Sequence, residues 1–226
     1  LINRTLSQDL MQLRCQLVKP NDNSGKPYYE ILLGLRDHDD QAIPAADFIA
    51  ALEYYEQMAA LDRWVIRNTL KWMAANRKAV RDVAGFTIKL TRRAIEDDTL
   101  MEYILEQLTS TAVPPGKLCF EITQADAEGN LEQTGRLLRT LREFGCRFSL
   151  SKFGSGNSGG EELRGLPVDF LKIDGCFVRG LAENPDDLAM VQSATHLAHA
   201  SGMRIVAEFV EQPEALETLK ALGVDL

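Results

Sequence analysis

The feature that most limits what this chain can fold into is its alternation of short apolar runs with longer amphipathic ones. Seven runs rich in Val, Ile, Leu and Phe fall at 11–18, 28–35, 85–91, 117–123, 146–152, 168–173 and 203–208. Such runs suit strands buried on both faces. Between them, 47–60, 61–78, 97–110, 130–144, 184–201 and 212–222 read as helices. In 130–144 the spacing of Leu137, Leu138, Leu141 and Phe144 gathers them on one helix face. Pro114-Pro115-Gly116, Gly145 and Ser201-Gly202 mark boundaries before the strands that follow. Repeated βα units predict a parallel sheet. Seven strands, with an eighth beginning near Val224, predict an α/β fold: a modified (β/α)8 TIM-like barrel, a single domain over 1–226. No GxGxxG follows the first strand, which argues against a dinucleotide-binding sheet. In a barrel the C-terminal strand ends form the working face, so polar residues interrupting apolar strands there are the candidates for function.

The formal charge of −8 argues against generic nucleic-acid binding, which needs a basic stripe to neutralise phosphates. No apolar run reaches the roughly 20 residues that span a bilayer. The chain begins at Leu1 with no signal-peptide pattern, and the expectation is a cytoplasmic piece of a longer protein, anchoring elsewhere in that parent being left open. Cys15, Cys119, Cys146 and Cys176 are too scattered for a metal set and are expected to be buried, reduced thiols. His196 and His199 sit three apart on one helix with no third ligand in view, and with His38 are expected at surface or packing positions.

Five segments in order are similar to those of the EAL domain family. Tyr29-Glu30-Ile31-Leu32-Leu33 resembles its signature strand and Asp62-Arg63-Trp64-Val65 the start of its next helix. Phe120-Glu121-Ile122-Thr123 resembles its Glu-Ile-Thr strand, and Leu166-Pro167-Val168-Asp169-Phe170-Leu171-Lys172-Ile173-Asp174-Gly175 its most recognisable block. Ala207-Glu208-Phe209-Val210-Glu211 looks like Ala-Glu-Gly-Val-Glu with Phe at the glycine. The resemblance implies a barrel hydrolysing cyclic-di-GMP with two Mg²⁺ or Mn²⁺ ions. Such ions take oxygen ligands, activate water and stabilise the leaving oxygen. It also implies that the final strand and helix are incomplete at Leu226.

Carried over position by position, Glu30, Glu121 and Glu208 keep three of the family's carboxylates, and Lys172 keeps its lysine. The rest departs. The family's asparagine falls on Lys89, its paired aspartates on Ser151 and Lys152, and its phosphate-gripping arginine on Gly34. Asn157 stands where the family usually has Tyr. An ammonium has no lone pair for a metal. The changes at 89, 151 and 152 add four positive charges, matching two divalent ions. They predict that Lys89 and Lys152 pair with the glutamates, that no metal or other cofactor binds, and that catalysis is lost.

Four further residues are weighed as ligand contacts: Arg36, which shares a strand face with Gly34 and lies in the charged run Arg36-Asp37-His38-Asp39-Asp40; Lys172; Asp174, which equally suits a turn cap; and Glu211, which equally suits a helix N-terminus. The leading expectation is a catalytically degenerate regulatory or protein-interaction module in bacterial cyclic-di-GMP signalling. Its partner would be another protein or a neighbouring GGDEF or sensor domain, with a homodimer allowed. The alternative is a metal-independent cyclic-di-GMP receptor, although the missing arginine predicts weak binding. An active phosphodiesterase comes last.

Overall fold

A parallel crossover takes a dozen or more residues, usually a helix. The nine residues between β1 (Met11–Val18) and β2 (Tyr28–Arg36) cannot supply one, so these strands pair antiparallel, with Met11 opposite Leu35 and Val18 opposite Tyr28. This corrects the expectation of a wholly parallel sheet. The structure is a computed structural model that describes residues 11–21, 25–36, 42–43, 45–54, 56–155 and 165–226. From β2 onward the main sheet is parallel: β2, β4 (Gly85–Lys89), β5 (Leu118–Thr123), β6 (Arg147–Phe153), β7 (Phe170–Ile173) and β8 (Arg204–Ala207) follow in that order. The two-residue β3 (Ala42–Ile43) pairs with β2 off this path.

The eighth strand expected near Val224 is a short bonded segment rather than a regular strand. The amide of Ala207 donates to the Leu226 carbonyl at 2.9 Å, and those of Asp225 and Leu226 donate to that of Ile205 at 3.1 Å. The amide of Asn21 donates to the Asp225 carbonyl at 3.0 Å, so the segment lies between β8 and the residues that follow β1.

The connecting helices are α1 (Ala45–Tyr54), α2 (Met58–Ala75), α3 (Arg77–Asp82), α4 (Arg92–Ile95), α5 (Leu100–Thr111), α6 (Gln124–Gly129), α7 (Leu131–Glu143), α8 (Gly175–Arg179), α9 (Pro185–Ala200) and α10 (Pro213–Ala221). Gly145 and Gly202, at φ +97° and +72°, let the chain leave α7 and α9 in the left-handed conformation that only glycine takes without strain. No helix among the described residues is long and apolar enough to cross a membrane.

Strand alternation then divides the core. Phe86 and Ile88 of β4, Leu118, Phe120 and Ile122 of β5 and Phe148 of β6 pack outward with Ile66, Leu70, Ile104, Leu138 and Leu141 of the helices. Each such burial contributes about 1.5–3 kcal/mol. The inward residues are of another kind. Tyr28, Cys119, Phe170, Val206 and Leu226 form a small apolar plug. Glu121, Ser149, Ser151 and Lys172 are also buried. The strands are therefore not apolar on both faces; the inner face turns polar towards its C-terminal end, and that is where the site lies.

Candidate functional site

A carboxylate inside an apolar strand is costly unless it is partnered. Glu30 of β2, Glu121 of β5 and Glu208, one residue beyond β8, share one partner. Lys172 Nζ, from β7, lies 2.9 Å from Glu30 Oε2, 2.6 Å from Glu121 Oε2 and 2.7 Å from Glu208 Oε1. Only 5% of the Lys172 side chain and 3% of that of Glu121 is exposed, so these are charge-assisted bonds in a largely desolvated setting. Burial works against the Lys172 charge, but the three carboxylates outweigh it and hold its pKa above that of an ordinary lysine. For Glu30 the balance is reversed. Burial comes first, its share of Lys172 only partly offsets it, and Glu121 and Glu208 add repulsion, so its pKa is raised. One ammonium among three carboxylates explains both directions.

Lys89 and Lys152 do not take the role expected of them. Both are exposed, and among the described residues neither forms an ion pair with the glutamates. Among the described residues, Lys172 is the one cation paired with these glutamates. Lys89 stands beside Glu121 in the β4–β5 register, yet its side chain lies in solvent. Lys152 sits at a shift in the β6–β7 register between Leu150 and Phe153, with φ +54°. A bulge of this kind re-aims its side chain. Its charge helps to lower the pKa of Asp174, against the upward push of burial and together with hydrogen bonds from Cys176 and Ser155. Ser151 is buried, its Oγ 3.4 Å from the Ile122 carbonyl.

The short helices that follow the strands carry their own start signals. Thr91, Thr123 and Asp174 cap α4, α6 and α8 through bonds accepted from the amides of Ala94, Asp126 and Cys176. Asp174 thus takes the capping role. Glu211 is exposed beside a cavity of about 790 Å³ that Glu208 and Phe209 also line, and the Gly154 amide donates to Gln124 Oε1 at 3.1 Å. Arg36 Nε donates to Gln12 Oε1 at 3.1 Å. His199 lies 3.1 Å from Asp225, while Asp37, His38, Asp39, Asp40 and Asn157 fall outside the described residues. Cys119 and Cys146 are buried, the latter's thiol pushed up to about 12 by burial; Cys15 and Cys176 are exposed, which corrects their expected burial.

Three residues were given no role by the sequence reading. Asp62 is 3% exposed, and burial pushes its pKa to about 7 despite bonds from the Thr91 hydroxyl, at 2.5 Å, and amide. Its only sequence signal is its place in the Asp-Arg-Trp-Val segment. Phe209 has φ +57° and is 56% exposed, with its ring against Gly175 and the Arg179 guanidinium 4.4 Å from the ring centroid. That backbone conformation is one a glycine takes without strain. Arg14 lies across Gly34, and only the hairpin register could have revealed it.

The arrangement offers two things chemically. The three carboxylates present oxygens within 4.8 Å of one another, a hard donor set for one cation, and Lys172 Nζ sits among them. The adjoining strand ends add Lys89, Ser151 and Lys152, none of them a carboxylate. Beside this cluster opens a cleft of about 880 Å³, lined by Glu30, Leu32, Asp62, Lys89, Arg92 and Lys152 among others. That volume suits a ligand of drug size or larger.

The sequence model of the EAL domain matches residues 2–226. The chain is 36% identical over 203 residues to the cyclic di-GMP phosphodiesterase PdeB of Shewanella oneidensis, covering 90% of this chain and 24% of that protein. It is 33% identical over 201 residues to the cyclic di-GMP phosphodiesterase PdeF of Escherichia coli, covering 89% and 27%. The chain therefore spans about a quarter of the length of these relatives. Among solved structures, the EAL domain of FimX from Pseudomonas aeruginosa bound to c-di-GMP superposes with a TM-score of 0.90 at 27% identity, over 99% of this chain and 89% of that one.

Proposed function

Because the chain belongs to the EAL domain family, we propose that it serves cyclic-di-GMP signalling by binding the nucleotide without metal ions and without hydrolysing it. One observation carries the reading: the strand ends around Glu30, Glu121 and Glu208 carry Lys89, Ser151 and Lys152, none of them a carboxylate, while Lys172 Nζ stands among the three glutamates at 2.6–2.9 Å. A divalent ion there would have to displace a buried ammonium. A second would find Lys89, Ser151 and Lys152, which offer two ammonium groups and one hydroxyl. These residues do not fit a two-metal centre, so no hydrolytic step is drawn through one.

The same geometry supports binding. Since Lys172 is the cation that pairs with the glutamates, Lys89 and Lys152 remain at the cleft for an anionic ligand. This moves the balance from the protein-interaction reading towards the receptor reading, because the two lysines no longer serve competing roles. The bound nucleotide is the input, and a neighbouring GGDEF or sensor domain of a longer cytoplasmic protein receives the signal.

The test is calorimetry with cyclic-di-GMP in EDTA, paired with a chromatographic assay for linear pGpG in Mg²⁺ and in Mn²⁺. Binding in EDTA and no linear product is the expected pair. Metal-dependent turnover on the order of 1 per second would overturn the reading. Absence of both binding and turnover would return the domain to the protein-interaction reading.

A further inference from the structure

We infer that Arg14, on the first strand and opposite the cleft-lining Leu32, grips a phosphate of the ligand at the edge of this cleft; the inference rests on the binding function proposed above. In an antiparallel pair, residues directly opposite point to the same face, and along a strand the face repeats every second residue. Arg14 lies opposite Leu32. Leu32 is two residues from Glu30, whose carboxylate reaches Lys172 inside the barrel. Arg14 therefore belongs to the face that carries the site. On the other side of β2, Glu30 stands beside Thr87 of β4. Two residues on in each strand, Leu32 and Lys89 both line the 880 Å³ cleft. Arg14 and Lys89 thus flank Leu32, which is 39% exposed. Two cations on either side of an exposed apolar residue suit a ligand that combines flat apolar rings with anionic groups.

Gly34 makes the placement feasible. A Cβ at Gly34 would lie 2.8 Å from Arg14 Nε, 3.2 Å from its Cδ and 3.3 Å from its Cγ. The arginine stem runs flat over the bare backbone, and a larger residue at 34 would have to push it aside. Among the described residues Arg14 is exposed and forms no ion pair. Its fork of N–H donors can bind a phosphate through two parallel bonds, which a lysine cannot do. Arg36 shares the face, but its Nε is bonded to Gln12.

The experiment is calorimetry with cyclic-di-GMP in EDTA on the wild-type domain, Arg14→Ala, Arg14→Lys, Arg36→Ala and the exchange Arg14→Gly/Gly34→Arg, with thermal melts confirming that each variant folds. Arg14→Ala is expected to weaken binding by about tenfold or more, and Arg14→Lys to recover only part of that. The exchange is expected to recover most of it, because it returns one guanidinium to the same place. If the wild type binds and Arg14→Ala binds within about twofold of it, the role of Arg14 is overturned while the binding function stands. A larger loss in Arg36→Ala than in Arg14→Ala transfers the role to Arg36. A wild type that does not bind overturns both proposals.

Discussion

Replacing Lys172 by Met tests the central claim about the site, that one ammonium holds three carboxylates together. Methionine nearly conserves the stem, so the change removes charge rather than volume. Breaking a buried ion pair by deleting one partner costs about 3–5 kcal/mol, because the charge left behind has neither water nor a counter-ion. Exposures of 5% for the Lys172 side chain and 3% for that of Glu121 place this pair in that class, with Glu30 and Glu208 nearer water at 18% and 25%. Against a typical domain stability of about 5–15 kcal/mol, the loss is large. It should also depend on pH in a known direction. The folded-state pKa of Lys172 is raised, so its stabilisation is complete below the ordinary value of 10.5 and is lost only as pH rises through the higher folded value. It is therefore intact throughout the neutral range. In the variant, Glu30, whose pKa burial already raises, loses the lysine that partly offsets that burial, so the folded state gains protons and stability as pH falls. The penalty should be largest near pH 8 and shrink towards pH 5, measured by urea unfolding with the fluorescence of Trp64 and Trp72 as the signal. Lys89→Met and Lys152→Met, at exposed positions, should each stay within about 0.5 kcal/mol of wild type. A loss below about 1 kcal/mol for Lys172→Met at pH 8, or the same loss at every pH, would refute the reasoning.

Asp62→Asn should stabilise the domain at pH 8. Raising a carboxyl from its ordinary value of 3.8 to about 7 removes stability progressively across that window, on the order of 4 kcal/mol in full, and the variant should lose this part of the pH dependence in unfolding curves at pH 4.5 and 8. An unchanged pH dependence would show that Asp62 is not the group responsible. Lys152→Asn should raise stability by about 1 kcal/mol in chemical denaturation, since Asn tolerates positive φ better than Lys does; a decrease would mean that the lysine stem contributes more than the backbone strain costs. Magnesium at about 5 mM should leave the melting temperature of the wild type unchanged but raise that of Lys172→Met, whose three carboxylates then lack a cation. A clear rise for the wild type would show that a metal competes successfully with the lysine.

The barrel was legible because its strands and long helices follow different periods. Most element ends moved by three residues or fewer, as with the helix expected at 130–144 and found at Leu131–Glu143, but the helix expected at 47–60 ends at Tyr54 and the next begins at Met58. What escaped was whatever is too short to show a period. The helices α4, α6 and α8, of four to six residues, could have been found only through their caps Thr91, Thr123 and Asp174. The direction of β1 was written in a nine-residue connection rather than in the strand itself. At the site, the family resemblance identified Glu30, Glu121, Lys172 and Glu208, but not who pairs with whom. Counting charges at 89, 151 and 152 assigned the glutamates to Lys89 and Lys152 and left Lys172 out. Geometry separates them: Lys172 is an inward residue of a strand buried between two others, whereas Lys152 is turned aside at a bulge and Lys89 ends its strand in solvent.

The bonds of Lys172 also have a consequence for how the domain is made. They join residues 142 positions apart at Glu30 and 51 apart at Glu121. Closing contacts over such separations is slow, whereas the β1–β2 hairpin needs only a short loop. During synthesis Glu30 and Glu121 emerge long before the lysine that will neutralise them, and Glu208 emerges after it. Until all the strands are in place, each of these charges must stay in water. The cluster is thus a late reporter of completed folding: the amides around Lys172 and Glu121 should gain their hydrogen-exchange protection after those of the first hairpin.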